Sequence, residues 1–358
     1  AGQERTAAHP DVGDGGERQL YDPESRLVDM KQLTILLAAA LTKAGLHAQI
    51  ADAWIPELST STTTSVNYDM DDISSFTLSS MDADWRNPGN GFSAQISYDV
   101  VAEHFMGLNI AYRFAPWIQV KAGNMKMQHI HELAYSPRTL ECAGYSLGTA
   151  YLGGYTRDLC GLNSRARDVG VMLSGSLLKH NNRYLLSYTA GVFNGNAYSF
   201  EDDNHSKNVA ASLLYAPTSH LNISVGGMIG KYSVDENTLG DRNRYTVGVW
   251  YDDGKYFLKG ENIYGKTDEM KSNGTSLMLG SWFNPNMAIA VRGDNFYKDL
   301  DKSSSRINKA DICFSHKLGK VFRYRLQYSH TFYADKGVKD TNMLTLSVSM
   351  KFSTKDLK

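Results

Sequence analysis

No stretch of this 358-residue chain approaches the roughly 18 consecutive apolar residues that a membrane-spanning helix requires. The one compact apolar run, residues 33–41, is too short to span. An excess of one charge sign is also missing, since 37 Lys and Arg stand against 38 Asp and Glu. No basic stripe of the kind that tracks a nucleic-acid backbone appears, so no nucleic-acid partner is expected. A nucleophile elbow and a phosphate-cradling glycine loop are absent as well, and scattered histidines such as His205 and His330 make no catalytic constellation. The sequence therefore points to no enzymatic activity and no cofactor. Cysteine is scarce. Cys142 and Cys160 fall in one long loop and form a candidate disulfide for an oxidising compartment, against the alternative of two ordinary thiols; Cys313 is left over without a role.

What the chain does have is alternation. Leu344, Leu346, Val348, Met350 and Phe352 point one way, and Thr345, Ser347, Ser349 and Lys351 the other. Just before them, Phe322, Tyr324, Leu326, Tyr328 and Phe332 alternate with Arg323, Arg325, Gln327, Ser329 and Thr331. A soluble sheet hides its apolar face and wets the polar one. Here the face that would be hidden is charged, the pattern of a barrel with lipid outside and water inside. The expected fold is all-β: a closed antiparallel transmembrane β-barrel of about 16 strands, each near the ~9–11 residues a tilted membrane strand needs.

The connections carry the same message. Tight turns rich in Gly, Pro, Asn and Asp, such as Ala115-Pro116, Asp252-Asp253-Gly254 and Asn284-Pro285-Asn286, take turns with longer polar loops at 195–206, 233–243, 267–274, 298–305 and 334–341. Short periplasmic turns and long extracellular loops mark outer-membrane barrels. One connection, 127–166, is far longer than the rest. A loop of that size in a compact protein usually has a function, and it is expected to fold inward and narrow the channel.

Residues 30–48 read as a secretory signal peptide, with Lys31 ahead of the apolar run and cleavage near Ala48. Residues 1–29 are then an upstream extension, and 49–358 the barrel of a Gram-negative outer membrane, in contact with its lipid.

By alternation, Leu108, Ile110, Tyr112, Val209, Leu213, Tyr245, Val247 and Val249 face outward. The inward set includes Asp99, Arg113, Lys121, Arg244, Lys259, Glu261, Arg292, Asp294, Asp311, Lys317, Arg323 and Arg325, with basic side chains ahead by about two to one. The long loop repeats that tilt, with His129, His131, Arg138, Arg157, Arg165 and Arg167 against Glu132, Glu141, Asp158 and Asp168. Charged rings at a constriction select ions by sign, and the arginine fork suits phosphate, so small anions such as phosphate are the expected solutes. The bland reading is that such charges are solvated or pair and cancel. His129-x-His131-Glu132 has spacing for two metal ligands on one strand face, but no third ligand is identifiable and no metal is expected.

Several stretches resemble the phosphate-selective porin O and P family. They are residues 114–123, beginning Phe114-Ala115-Pro116-Trp117, with Glu132 and Ser136-Pro137 following; Arg167-Asp168-Val169-Gly170-Val171; and Gly191-Val192-Phe193-Asn194-Gly195-Asn196, with the spacing to Leu214-Tyr215-Ala216-Pro217. The resemblance runs from about residue 59 to the C-terminus. It implies a sixteen-stranded homotrimeric porin whose third extracellular loop folds inward, with lining arginines giving anion selectivity. Two departures are a polar tail after Phe352 and a poorly patterned first strand. The alternatives are a non-conducting receptor or adhesin barrel and an outer-membrane barrel enzyme.

Overall fold

The computed structural model describes residues 59–69, 75–79, 81–86, 91–99, 104–156, 158–162, 164–195, 197, 206–234 and 238–353. The expected extension, signal peptide and cleavage near Ala48 lie outside the described residues.

The strands are β1 (Ser59–Asp69), β2 (Ser75–Ser79), β3 (Met81–Arg86), β4 (Phe92–Asp99), β5 (His104–Ala115), β6 (Ile118–Lys126), β7 (Arg167–His180), β8 (Arg183–Phe193) and β9 (Asn208–Tyr215). They continue with β10 (Leu221–Ile229), β11 (Lys231–Ser233), β12 (Leu239–Asp252), β13 (Tyr256–Thr267), β14 (Met270–Asn284), β15 (Met287–Tyr297), β16 (Arg306–Leu318), β17 (Phe322–Tyr333) and β18 (Thr341–Ser353). Single residues separate β2 from β3 and β10 from β11, so the eighteen segments form sixteen strands. Sequence neighbours pair antiparallel throughout, and β1 pairs with both β2 and β18, for example Val66 with Phe76 and with Leu346. Among the described residues no helix is long and apolar enough to cross a membrane, which says nothing about strands.

The faces are inverted relative to a soluble sheet. Ile110, Val209, Tyr245, Val247, Val291 and Ile312 are exposed, whereas Arg244, Arg292, Asp311 and Arg325 on the alternate face are at most 2% exposed. Burying charge is tolerable only with partners, and these side chains have them. Arg292 meets Asp311 at 2.6 Å, and Arg242 and Arg244 both meet Asp158 at 2.7 Å.

Most turns fall where Gly, Asn and Asp foretold them. Asn181 and Asn182 both adopt left-handed backbone between β7 and β8, as a two-residue hairpin with the right twist requires. The expected long loop at 267–274 is instead a two-residue turn, Asp268-Glu269, between β13 and β14. Pairing continues through Tyr264–Asn273 and Lys266–Lys271 to Thr267–Met270, because polar residues sustain a ladder as well as apolar ones. Asp268 takes the left-handed conformation, and its carboxylate accepts from the Asp241 amide (2.7 Å) and the Tyr232 hydroxyl (2.7 Å), tying this hairpin to its neighbour.

Candidate functional site

The long connection between β6 and β7 packs against the buried face of the sheet. It contains one short helix, α1 (Leu147–Leu152), whose first turn is capped by the Ser146 hydroxyl accepting from the Thr149 amide. Ile130, Leu133, Leu140, Tyr145 and Leu152 of the loop form one apolar cluster with Trp250, Ile263, Phe296 and Ile307 of the strands. His131 lies edge-on to Trp250 at 4.6 Å, and Tyr135 stacks on the same indole at 4.8 Å. The backbones come very close at two points. A Cβ on Gly226 would collide with the His129 carbonyl, and one on Gly274 would lie 2.5 Å from the Gly148 Cα.

Polar contacts then fix the loop's path. The Glu261 carboxylate accepts the amides of His131 (2.8 Å) and Glu132 (3.2 Å). Glu132 in turn accepts the Ser146 hydroxyl at 2.7 Å. Arg244 donates to the Leu152 carbonyl at 3.1 Å, Arg292 to Gly144 at 3.0 Å, Arg325 to Pro137 at 2.5 Å and Arg323 to Thr139. The Ala143 amide donates to Gln327 at 2.7 Å, and Lys259 pairs with Glu141 at 2.7 Å. Strands β12, β13, β15 and β17 thus present a row of side chains cut to the loop backbone.

Beside the docked loop lie two cavities. One, of about 530 Å³, is lined by Lys121, Lys126, Arg138, Arg167, Lys317 and Arg323 among others. The second, of about 550 Å³, shares Arg138 and Arg167 and adds Arg165, Lys309 and Arg325. No carboxylate lines either cavity among the described residues. Among the described residues, the loop's Asp158 and Glu141 pair with Arg242 and Lys259 of the strands, and Asp311 of β16 pairs with Arg292. The described linings of both cavities are accordingly basic.

The residues singled out from sequence end in different surroundings. Lys121, Arg138, Arg165, Arg323 and Arg325 line the cavities, and the last two also hold the loop. Arg292 is fully buried in its ion pair with Asp311 and anchors Gly144. Arg113 is exposed next to the β5–β6 turn, donating to Gln119 at 3.3 Å, and lines neither cavity. Arg157 lies outside the described residues. His129 and His131 are buried against the strands and carry no charge near neutrality. Burial, helped by Arg242 and Arg244, pushes His129 down to about 3. Burial and Lys259 push His131 down to about 4. As anion-attracting groups the two histidines drop out, and no metal-ligand cluster occurs among the described residues.

Of the two readings of Cys142 and Cys160, a disulfide or two ordinary thiols, the structure holds the thiols, and Cys313 is free as well. Cys142 turns into an apolar cluster with Cys313, Phe257 and Met278, whereas the Cys160 amide donates to Asp158 at 3.3 Å. Arg242 and Lys126 escaped the candidate set, whereas Arg167, counted from sequence among the loop's basic residues, lines both cavities. Arg242 was hidden because its strand begins at Leu239, six residues before the alternation becomes apolar at Tyr245. Lys126 reaches the Tyr145 hydroxyl at 2.8 Å, and only the alternation of Asn124, Lys126 and Gln128 could have marked it.

No family model matches the chain, and no curated protein sequence does. Solved structures match it well. An anion-selective porin from Comamonas acidovorans aligns at a TM-score of 0.60 and 12% identity, covering 83% of this chain and 99% of that one. The fold is that of the bacterial outer-membrane porins. Pseudomonas putida OprB (TM-score 0.61, 10% identity, 86% of this chain and 97% of that) and Salmonella typhi OmpF in complex with daunomycin (0.60, 12%, 85% and 99%) align equally well. A trimer form of Vibrio cholerae OmpT aligns at 0.61 and 12% identity over 84% of this chain and all of that one.

Proposed function

We propose that the chain is an outer-membrane porin, a closed barrel through which small hydrophilic solutes diffuse passively, with loop 127–166 folded into the lumen as its constriction. It performs no covalent step. The observation that carries the reading is the inverted sheet: exposed apolar side chains alternate with buried, paired charges, and a row of inward arginines holds a loop instead of a second layer. The likeness to porin folds supports it.

The channel prefers anions, with phosphate among its solutes. Support comes from the two cavities, whose described linings hold Lys and Arg but no carboxylate. Arg138 brings a planar guanidinium suited to an oxyanion, and Lys121 and Lys317 bring point charges. A homotrimer in outer-membrane lipid is the assembly that the resemblance implies, and one matched porin-fold protein occurs in a trimer form. The test is a salt-gradient experiment in planar bilayers, with phosphate then titrated into chloride. The zero-current potential should lie toward the chloride equilibrium value, phosphate should reduce the chloride current, and Lys121→Gln with Arg138→Gln should move both effects toward zero. A potential on the cation side would remove the anion preference, and chloride current indifferent to phosphate would remove phosphate from the solutes.

A further inference from the structure

Two buried thiols meet where the loop touches the wall. Cys142 lies on the loop and Cys313 on β16, they are 0% and 1% exposed, and they share one cluster with Phe257, Met278, Ala288 and Ala290. The Cys313 thiol donates to the Glu141 carbonyl at 3.0 Å, the carbonyl that immediately precedes Cys142 in the loop, and both thiols belong to the same buried cluster. That contact sets the Cys313 sulfur beside the peptide that joins Glu141 to Cys142. The loop is fixed on both sides of this point, by Lys259 to Glu141 and by Gln327 to the Ala143 amide. Two cysteines from elements far apart in sequence thus lie in one buried cluster at one of the contacts that hold the loop.

We propose that Cys142 and Cys313 form a disulfide that locks the constriction loop to the barrel wall. The inference rests on the porin reading for its compartment, since the outer membrane is reached through an oxidising space. Oxidation joins the two sulfurs and releases two protons and two electrons. The disulfide of a thiol oxidoreductase accepts both and becomes a dithiol, through a mixed disulfide with one of the two cysteines. Because the folded pair is sealed from solvent, this exchange precedes final docking of the loop. Cys160 stays a thiol, half-exposed beside Asp158. The bridge fixes the width of the constriction covalently, where hydrogen bonds alone would let the loop open.

The experiment isolates the full chain from the outer-membrane fraction without reductant, denatures it in N-ethylmaleimide and maps the peptides by mass spectrometry. The expected result is a linked pair of peptides carrying Cys142 and Cys313, with maleimide on Cys160 alone. Alkylation of all three cysteines, or a link from Cys142 to Cys160, would overturn the bridge and leave the porin reading standing. A chain absent from the outer membrane would overturn both. As a check on the lock, Cys313→Ser should convert a loop resistant to trypsin into one cut at least tenfold faster; an unchanged rate would contradict the locking role.

Discussion

The buried charges of this molecule divide their work between holding a loop and facing open space. Asp158 shows how the holding is done. Its own burial opposes ionisation, but Arg242 and Arg244 outweigh that and keep the carboxyl at about 2. Its ion pairs therefore persist until the pH falls below the ordinary carboxylate range. The loop histidines respond much sooner. His129 is held at about 3 while docked and returns to about 6.5 when the loop is released. A depressed value gives stability that is complete above 6.5 and is lost as pH falls toward 3. Between pH 6.5 and 5 this weakens docking by about 2 kcal/mol, and His131 acts in the same window. Loop amides should exchange with deuterium faster at pH 5 than at pH 7, and His129→Gln should narrow the difference. Equal protection at both pH values would contradict the account. Sequence alternation placed Arg292, Arg323 and Arg325 on the inward face, but their partners were beyond its reach. Those partners are backbone carbonyls at 144, 139 and 137, which look alike in every sequence.

At the scale of elements, alternation located the strands because the period-two signal is strong wherever one face meets apolar surroundings. It failed at strand ends that run on as polar ladders. Residues 239–243 and 270–274 carry no outward apolar stripe, so they read as loop, although Arg242 pairs with Thr267 and Asn273 with Tyr297. The long loop was legible by its length, and its docking surface was not, because that surface depends on glycine contacts. Gly148, in the first turn of α1, lies against Gly274 of β14, where a Cβ would come within 2.5 Å of the Gly148 Cα. Gly274→Val should displace the loop from the wall while leaving the barrel folded. The expected outcome is a larger channel current and faster proteolysis between residues 127 and 166, with the far-ultraviolet strand signal unchanged. A current equal to that of the parent would show that the contact does not set the constriction.

For the whole molecule, the exposed apolar face must meet something other than water. Val247 is 49% exposed on β12, opposite Val225 and Asn262 in the neighbouring strands. On a soluble sheet, Val247→Arg would change stability by no more than about 0.5 kcal/mol. On a lipid-facing strand it should cost about 2–4 kcal/mol near the bilayer centre. Urea titration of protein refolded into phospholipid vesicles reads the difference, and a neutral result would place Val247 away from lipid. The architecture was the most legible level, since inverted alternation and turn spacing are properties of the whole chain. The solute was the least legible, because it depends on how a few side chains from distant strands share one cavity.

Single-channel recording of the purified protein in a planar bilayer tests the central claim most directly. A loop-narrowed, water-filled barrel predicts discrete, uniform conductance steps that grow with salt concentration and need no energy source. A folded, membrane-inserted protein that gives no steps would contradict it.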